Sequence, residues 1–528
     1  MAPDASHILR RPQAILLAES EADVAHAMRL AARTGVPVTF RSGGTSLSGQ
    51  AGSEGVLIDT RRAFRSVEVL DGGARVRCGP GATVDVVNAY LAPFGRALGP
   101  DPASSRAATI GGVVANNSSG WAAGTTANSY RTIAAMRIVL PSGAIIIYDA
   151  GVPEISQSEI LGQGDADPIF KEDSPQLYDK IVAWRNEIAN RPDLVAEITR
   201  QFSIKNTMGY ALNAFVDGAR PIDILAGLMV GSEGTLGFIS EVTFNTVPVL
   251  PCFATALVVF PSLTAATDAL PALKAAGAAA LELLDTASIN SVQPYLTTDD
   301  PLKGITGDGV TALIVEVRAA TPEALAPLLA AEQQVIASLG LHADFTQDEH
   351  RRELLWNARE GLYTFVAGAR PPGSTALLED VAVPLEKLSA ACSGLTALFH
   401  QFGFDDGVIF GHAKDGNIHF MITLDTADQQ VMQNYAGFTE AMVELILGLG
   451  GTLKAEHGTG RIMAPFVERQ YGPELYRIMC EIKQAFDPHN ILNPGTIINP
   501  DPNAHLEHIK VDPVVDPFFD RCVTCGFC

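Results

Sequence analysis

The sequence predicts an α+β chain that opens on alternating strand and helix and continues into a largely antiparallel sheet covered by helices. Three observations carry this. At 528 residues the chain exceeds a single core and suggests roughly two to four domains. Between Pro12 and Phe40 a strand, a helix and a strand follow in order, and from Thr255 onward apolar runs alternate with helical patterns. At Asp406–Phe420, Val408, Ile409 and Phe410 run into a Lys-Asp-Gly-Asn turn and Ile418, His419 and Phe420 run out of it, a β-hairpin signal.

In order, residues 1–11 read as a loose lead-in. Ala14–Ala18 is a strand; Ser20 followed by Asp23 starts a helix through Ala32, Gly35 stops it, and Val36–Phe40 is the next strand. That strand feeds Arg41-Ser42-Gly43-Gly44-Thr45-Ser46, Gly49 and Gln50, small or hydroxylated residues whose backbone N–H groups can converge on an anion such as a pyrophosphate. A tight turn is the alternative. Neither the Rossmann nor the P-loop pattern is present. Short strands follow at Val56–Asp59, Val67–Leu70 and Ala74–Cys78, then a helix at Thr83–Leu91. The stretch from Thr109 to Gly120 is loop-like and dense in small residues, suited to close backbone approach by a flat ligand. A hairpin with a three-residue turn at Pro141-Ser142-Gly143 closes this part.

Residues from about 150 to 204 read as a polar helical insertion. Lys205–Tyr210 and Asn213 suggest either a site wall or a capped loop. After Gly231-Ser-Glu-Gly-Thr-Leu-Gly237, Phe238–Val247 is a strand. The domain plan is 1–250, a second domain over 251–486, a segment at 487–500 that returns to the first, and a linker from 501. In the second domain, Arg351–Thr364 reads as one helix, Ala376–Val383 as a strand, and Leu385–Phe402, Ala427–Leu447 and Pro473–Phe486 as helices.

With Asp415-Gly416 as a two-residue loop, His412 pairs directly with His419, their Cβ atoms roughly 5 Å apart on one face. Two such imidazoles can share a divalent cation, and Glu456 could complete a nitrogen and oxygen set suited to zinc, iron or manganese. His457 is then left as the titratable base.

A net charge of −22 argues against a nucleic-acid partner, and no apolar run reaches the 18 or so residues of a membrane span. The expected location is cytoplasmic, with at most peripheral membrane association. Cys78, Cys252, Cys392 and Cys480 lack metal-like spacing, whereas Cys522, Cys525 and Cys528 form C-x-x-C-x-x-C. This is the start of a four-iron motif, expected to be either part of a longer iron-sulfur polypeptide or a tail whose thiols serve otherwise.

The set PVTFRSGGTSLSGQ, GPDPAS, TIGGVVANNSSG, VGSEGTLGFISEVTF, FGHAKDGNIHF, GTLKAEHGTGR and FDPHNILNPG resembles the FAD-linked 2-hydroxy-acid dehydrogenases over roughly residues 12–500. That family includes D-lactate and D-2-hydroxyglutarate dehydrogenases and the glycolate oxidase flavin subunit. The closing cysteines resemble its branch with a fused iron-sulfur half, where a 4Fe-4S cluster belongs to the longer polypeptide. The resemblance implies a vanillyl-alcohol-oxidase-type FAD domain followed by a substrate domain. It places Arg41–Gln50 at the FAD pyrophosphate, and Pro100, Asp101, Gly111, Gly112, Ala115, Asn116 and Gly120 along the flavin. Glu233, Gly234, Ile239 and Asn493 are further cofactor positions. Thr45 stands where some relatives carry a flavin-linking histidine, implying dissociable FAD. His412, His419 and Glu456 fall on the family's metal ligands, zinc first, with iron or manganese open; His457 falls on its base, and Arg359 on its grip for the substrate carboxylate.

The implied chemistry is metal-assisted oxidation of a D-2-hydroxy acid. A chelated cation lowers the hydroxyl pKa, His457 takes the proton, and FAD accepts the hydride. Electrons would leave through an iron-sulfur centre to a quinone or cytochrome. Leu378 is apolar where relatives with a glutarate-type substrate carry a basic residue, which favours D-lactate over D-2-hydroxyglutarate or glycolate. The rival readings are an oxidase of another alcohol and an electron-transfer or scaffold subunit with a vestigial site.

Overall fold

The computed structural model describes residues 3–150, 166–511, 514–516 and 522. They fall into two compact units. One ends at Pro248 and resumes over Glu456–His508; the other is Val249–Ala455 with the described residues from Ile509 onward.

In the first unit, β1 (Ala14–Leu17), β2 (Val38–Arg41) and β3 (Val56–Asp59) form a parallel sheet with β3 central. Ser20 caps the helix Glu21–Thr34 by accepting from the Asp23 N–H, and Gly35 ends it at φ 70°. That helix buries Val24, Ala25, Met28 and Ala31, an i, i+1, i+4, i+7 stripe, against Val38, Ile58, Ile491 and Leu492. A second, antiparallel sheet runs in the order β4 (Val67–Leu70), β5 (Arg75–Cys78), β8 (Phe238–Asn245), β6 (Ile133–Val139), β7 (Ile145–Asp149).

Several expectations are corrected here. The lead-in is not loose: Asp4, Ser6, His7 and Ile8 are all buried, and the Leu9 N–H donates to the His508 carbonyl at 2.7 Å. The Thr109–Gly120 stretch contains a short helix, Ile110–Ala115, because Ile110, Val113 and Val114 repeat on one buried face. Within the expected insertion, residues 151–165 lie outside the described residues; Ala166–Asp173, Pro175–Ala189 and Pro192–Gln201 are helices. The chain rejoins the first unit at Glu456, well before the return at residue 487. The helix Val467–Phe486 holds to that unit: the Tyr471 hydroxyl donates to the Met208 carbonyl, and Lys483 donates to the Thr235 and Leu492 carbonyls. This helix also begins six residues earlier than Pro473, with its backbone kinked at Gly472.

The second unit is built on one six-stranded antiparallel sheet. Its order is β9 (Cys252–Phe260), β11 (Thr311–Ala319), β10 (Ala280–Leu284), β13 (Val408–His412), β14 (Asn417–Leu424), β12 (Thr375–Ala382). The hairpin β13–β14 is therefore interior. Helices wrap the sheet on both faces. Phe399 and Phe438, from the helices Leu388–Phe402 and Gln429–Gly448, pack on Phe420. The helix Glu349–Glu360 lies over the opposite face, and it is separate from Leu362–Ala369 because the two break at Gly361.

The hairpin register also differs. Four residues, Ala413–Gly416, make the connection, the first three as a 3-10 turn and Gly416 at φ 67°. Phe410, not His412, is directly opposite His419. A shift of two residues preserves the face, so His412 and His419 remain diagonal neighbours with ring centroids 5.2 Å apart.

Candidate active site

On the second unit's sheet, strand pairing assembles one polar face. A row runs Leu284, Phe410, His419, Asp380 across β10, β13, β14 and β12. Beside it, Glu282 on β10 pairs with His412 on β13. Asp380 and His419 offer a carboxylate oxygen and a ring nitrogen within 4.8 Å of each other. Asp380 is wholly buried and also accepts the Ala455 N–H at 3.0 Å. His412 Nδ1 is 2.8 Å from Glu282 Oε1, so that nitrogen is turned toward Glu282.

The helix Glu349–Glu360 is fixed over this face by two buried glutamates. Arg352 Nε and Trp356 Nε1 donate to Glu316 Oε2 at 2.7 and 2.8 Å, and Arg359 Nε donates to Glu282 Oε2 at 2.8 Å. Arg352, Trp356 and Arg359 are spaced i, i+4, i+7, which puts them along one side of the helix. Burial alone would raise the Glu316 carboxyl, but the Arg352 hydrogen bond and the Arg318 charge outweigh it and hold the pKa below the usual value. The Arg359 guanidinium lies 5.0 Å from the centroid of the Phe410 ring. On the reverse face Lys454 is fully buried and ion-paired to Glu379, whose carboxyl is nonetheless pushed up by burial.

In the first unit, Glu456 and His457 likewise offer donor atoms within 4.8 Å of each other. Glu456 Oε2 accepts from Ser119 Oγ at 3.0 Å, from the Gly120 N–H at 3.3 Å and from the buried Lys205 ammonium at 3.2 Å. Lys205 is thus paired with the Glu456 carboxylate, whereas Asn206, bound to the Tyr471 hydroxyl, braces the fold.

The cofactor residues named from the sequence converge in this same unit. Gln50 Nε2 donates to Asn116 Oδ1 and to the His457 carbonyl, joining three of the motifs. Ser42 bonds Thr109, and Ser46 bonds Gln50. Gly43 is forced: a Cβ there would stand 2.2 Å from the Ala107 carbonyl oxygen. Gly458 is forced twice, by φ +80° and by Asn116, Glu233 and Gln50 within 2.9 Å of a built Cβ. The Ala115 carbonyl accepts the Glu233 N–H at 2.8 Å, and the Glu233 carboxylate accepts the Gly460 N–H. Asp101 accepts the Ala122 and Ala123 N–H groups, and Ile239 is packed in β8 opposite Ile138.

Arg41 braces the start of its own loop. Its Nη atoms donate to the Pro3 and Ala51 carbonyls, so it ties down the N-terminal segment. Arg461, which sequence reasoning passed over, is the central brace. It donates to the Gly49, Gly52 and Pro494 carbonyls and to Asn493 Oδ1, and burial pushes its pKa down to about 9. Its only sequence signal is its place after GTG in the KAEHGTGR motif.

A flat, phosphate-bearing cofactor fits these residues. Ser42, Gly43, Thr45, Ser46, Gly111, Gly112, Ala115 and Asn116 are all partly accessible, and none carries a bulky side chain. A nitrogen and oxygen donor set of imidazoles and carboxylates likewise fits a divalent cation. Cys525 and Cys528 lie outside the described residues; Cys522 is exposed, and its carbonyl accepts from Arg370 Nη2.

The family model for the FAD binding domain matches residues 12–149, and that for the C-terminal domain of FAD linked oxidases matches residues 252–497. D-2-hydroxyglutarate dehydrogenase of Escherichia coli (strain K12) is 29% identical across 99% of this chain and 51% of its own length. D-lactate dehydrogenase [cytochrome] of Arabidopsis thaliana mitochondria is 26% identical across 93% of this chain and 74% of its own. The crystal structure of p-cresol methylhydroxylase with substrate bound superposes with a TM-score of 0.64 at 15% identity, covering 94% of this chain and 92% of that one. The chain belongs to the FAD-linked oxidase superfamily, with an FAD-binding domain followed by an antiparallel sheet domain wrapped by helices. Within it, the chain is related to the D-2-hydroxy-acid dehydrogenases, and it spans about half the length of the bacterial D-2-hydroxyglutarate dehydrogenases it matches.

Proposed function

We propose that this chain is the flavin-bearing part of a D-2-hydroxy-acid dehydrogenase, with D-lactate as the leading substrate. The observation that supports the reading most is the second unit's polar face, where Asp380 and His419 offer a carboxylate oxygen and a ring nitrogen within 4.8 Å of each other, the His412 ring lies 5.2 Å from that of His419, and Arg359 is held on Glu282. Bound FAD would supply the hydride acceptor and a bound divalent cation, zinc first, a Lewis acid.

The remaining tasks fall to the chain. Arg359, with Nε committed to Glu282, has its Nη edge to pair with the substrate carboxylate. To His412 and His419 the sequence adds Glu456 as ligand and His457 as the base that takes the hydroxyl proton. Leu378 shares the face of Asp380 two pairs farther along β12, opposite Met421, so the wall there is apolar. Such a wall favours a methyl group over a second carboxylate. FAD is held without a covalent link at Thr45, and the electron acceptor is an iron-sulfur, quinone or cytochrome partner.

A second reading, D-2-hydroxyglutarate, is favoured by the likeness to the E. coli dehydrogenase. Anaerobic stopped-flow bleaching of the flavin at about 450 nm decides between them. D-lactate, D-2-hydroxyglutarate, L-lactate and glycolate are run in parallel, with and without chelator. Fast, chelator-sensitive bleaching by D-lactate is expected. Bleaching by D-2-hydroxyglutarate alone would replace the substrate, and no bleaching by any of the acids would remove the function.

A further inference from the structure

Resting on the reading above, we infer that Glu282 is a positioning residue that sets the metal-ligating imidazole and the substrate-gripping guanidinium together. Each of its oxygens has a different partner: Oε1 is 2.8 Å from His412 Nδ1, and Oε2 accepts from Arg359 Nε at 2.8 Å. The Glu282 side chain is 2% exposed, with those of Arg359 and His412 at 9% and 11%.

Both contacts are imposed by the fold. Glu282 and His412 are direct partners across β10 and β13, and Arg359 is carried by the helix whose other anchor is Glu316. With Nδ1 turned to Glu282, Nε2 is the ring nitrogen that a cation would take. At Arg359, occupying Nε fixes the plane of the guanidinium and turns its paired Nη groups away from Glu282, the edge that grips a carboxylate. The Phe410 ring under the guanidinium is itself the direct partner of His419. One buried carboxylate therefore controls the distance between the two points that hold a 2-hydroxy acid, its chelated hydroxyl end and its carboxylate.

The test uses the full chain with its flavin. Zinc affinity is measured by competition with a chromogenic chelator, and kcat and KM with the acid that bleaches the flavin. Glu282→Gln can accept from only one partner. It is expected to weaken zinc binding by about 10–100-fold and to raise KM about tenfold or more, with flavin content unchanged. Arg359→Ala should raise KM while leaving zinc affinity within about twofold, a split that a merely scaffolding role for Glu282 would not produce. If Glu282→Gln loses its flavin, Glu282→Asp is read instead, since its shorter arm also fails to span both partners.

Zinc affinity and KM within twofold of the parent in the variant would overturn the inference. A parent that binds no zinc overturns it together with the metal assignment. A parent that binds zinc but oxidises none of the acids overturns only the function, and the inference is then decided by the zinc affinity ratio.

Discussion

Asp380 lies directly opposite His419 across β12 and β14, placing a buried carboxylate within 4.8 Å of an imidazole nitrogen. Asp380→Asn keeps the shape and removes the charge, so divalent metal affinity is expected to fall by at least about tenfold while the flavin is retained. Isothermal titration of the metal-stripped protein with zinc, alongside its flavin absorbance, measures both. Unchanged zinc affinity would remove Asp380 from the site.

His457 is expected to act on protons rather than on binding. His457→Ala should lower kcat about a hundredfold to ten-thousandfold while flavin and metal content stay at parent levels. Steady-state kinetics with metal and flavin analysis on the same preparation decide this. Normal turnover in a fully loaded variant sinks the assignment.

Arg461 joins the loop after β2, the GTGR segment and the Asn493 turn through four acceptors. Arg461→Ala leaves those acceptors buried and unpaired, a cost of about 2–4 kcal/mol. Calorimetry should show a lowered Tm, and equilibrium dialysis a faster loss of FAD. Retention of both would mean that water replaces the guanidinium at little cost.

Glu332, in the helix Pro322–Ser338, is wholly buried, and burial pushes its pKa up to about 7 from 4.5, the Ala278 amide easing it in part. The folded state then holds this proton more tightly than the unfolded chain. Its stabilising contribution is full below pH 4.5 and is lost as the pH rises through about 7. Glu332→Gln should match the parent in Tm at pH 4.5 and exceed it by about 2–4 °C at pH 8. Parallel Tm-against-pH curves for the two proteins would contradict this.

Local chemistry made much of the chain legible. Ser20 and Gly35 bound their helix because a cap is satisfied within a few residues of itself. Alternation put His412 and His419 on one face, and that survived a misjudged turn, since a four-residue connection shifts the register by two and leaves the parity unchanged. The loops expected to hold the cofactor are marked in the sequence for the same reason: small and hydroxylated residues in a run permit close backbone approach wherever they fold.

What stayed hidden was carried by residues far apart in the chain. Glu282 and Arg359 are separated by 77 positions and Glu282 and His412 by 130, and nothing near any of them signals the other two. Asp380 reads as an ordinary residue in an apolar run until β12 pairs with β14. Arg41 reads as part of the pyrophosphate loop, and only the fold shows its Nη atoms donating to the Pro3 and Ala51 carbonyls. The chain itself dictates period, caps and turns because those energies are paid within a few residues. Which buried charge meets which partner depends on strand order and helix placement, which follow only once the whole core has closed and every desolvated polar group has had to find a partner.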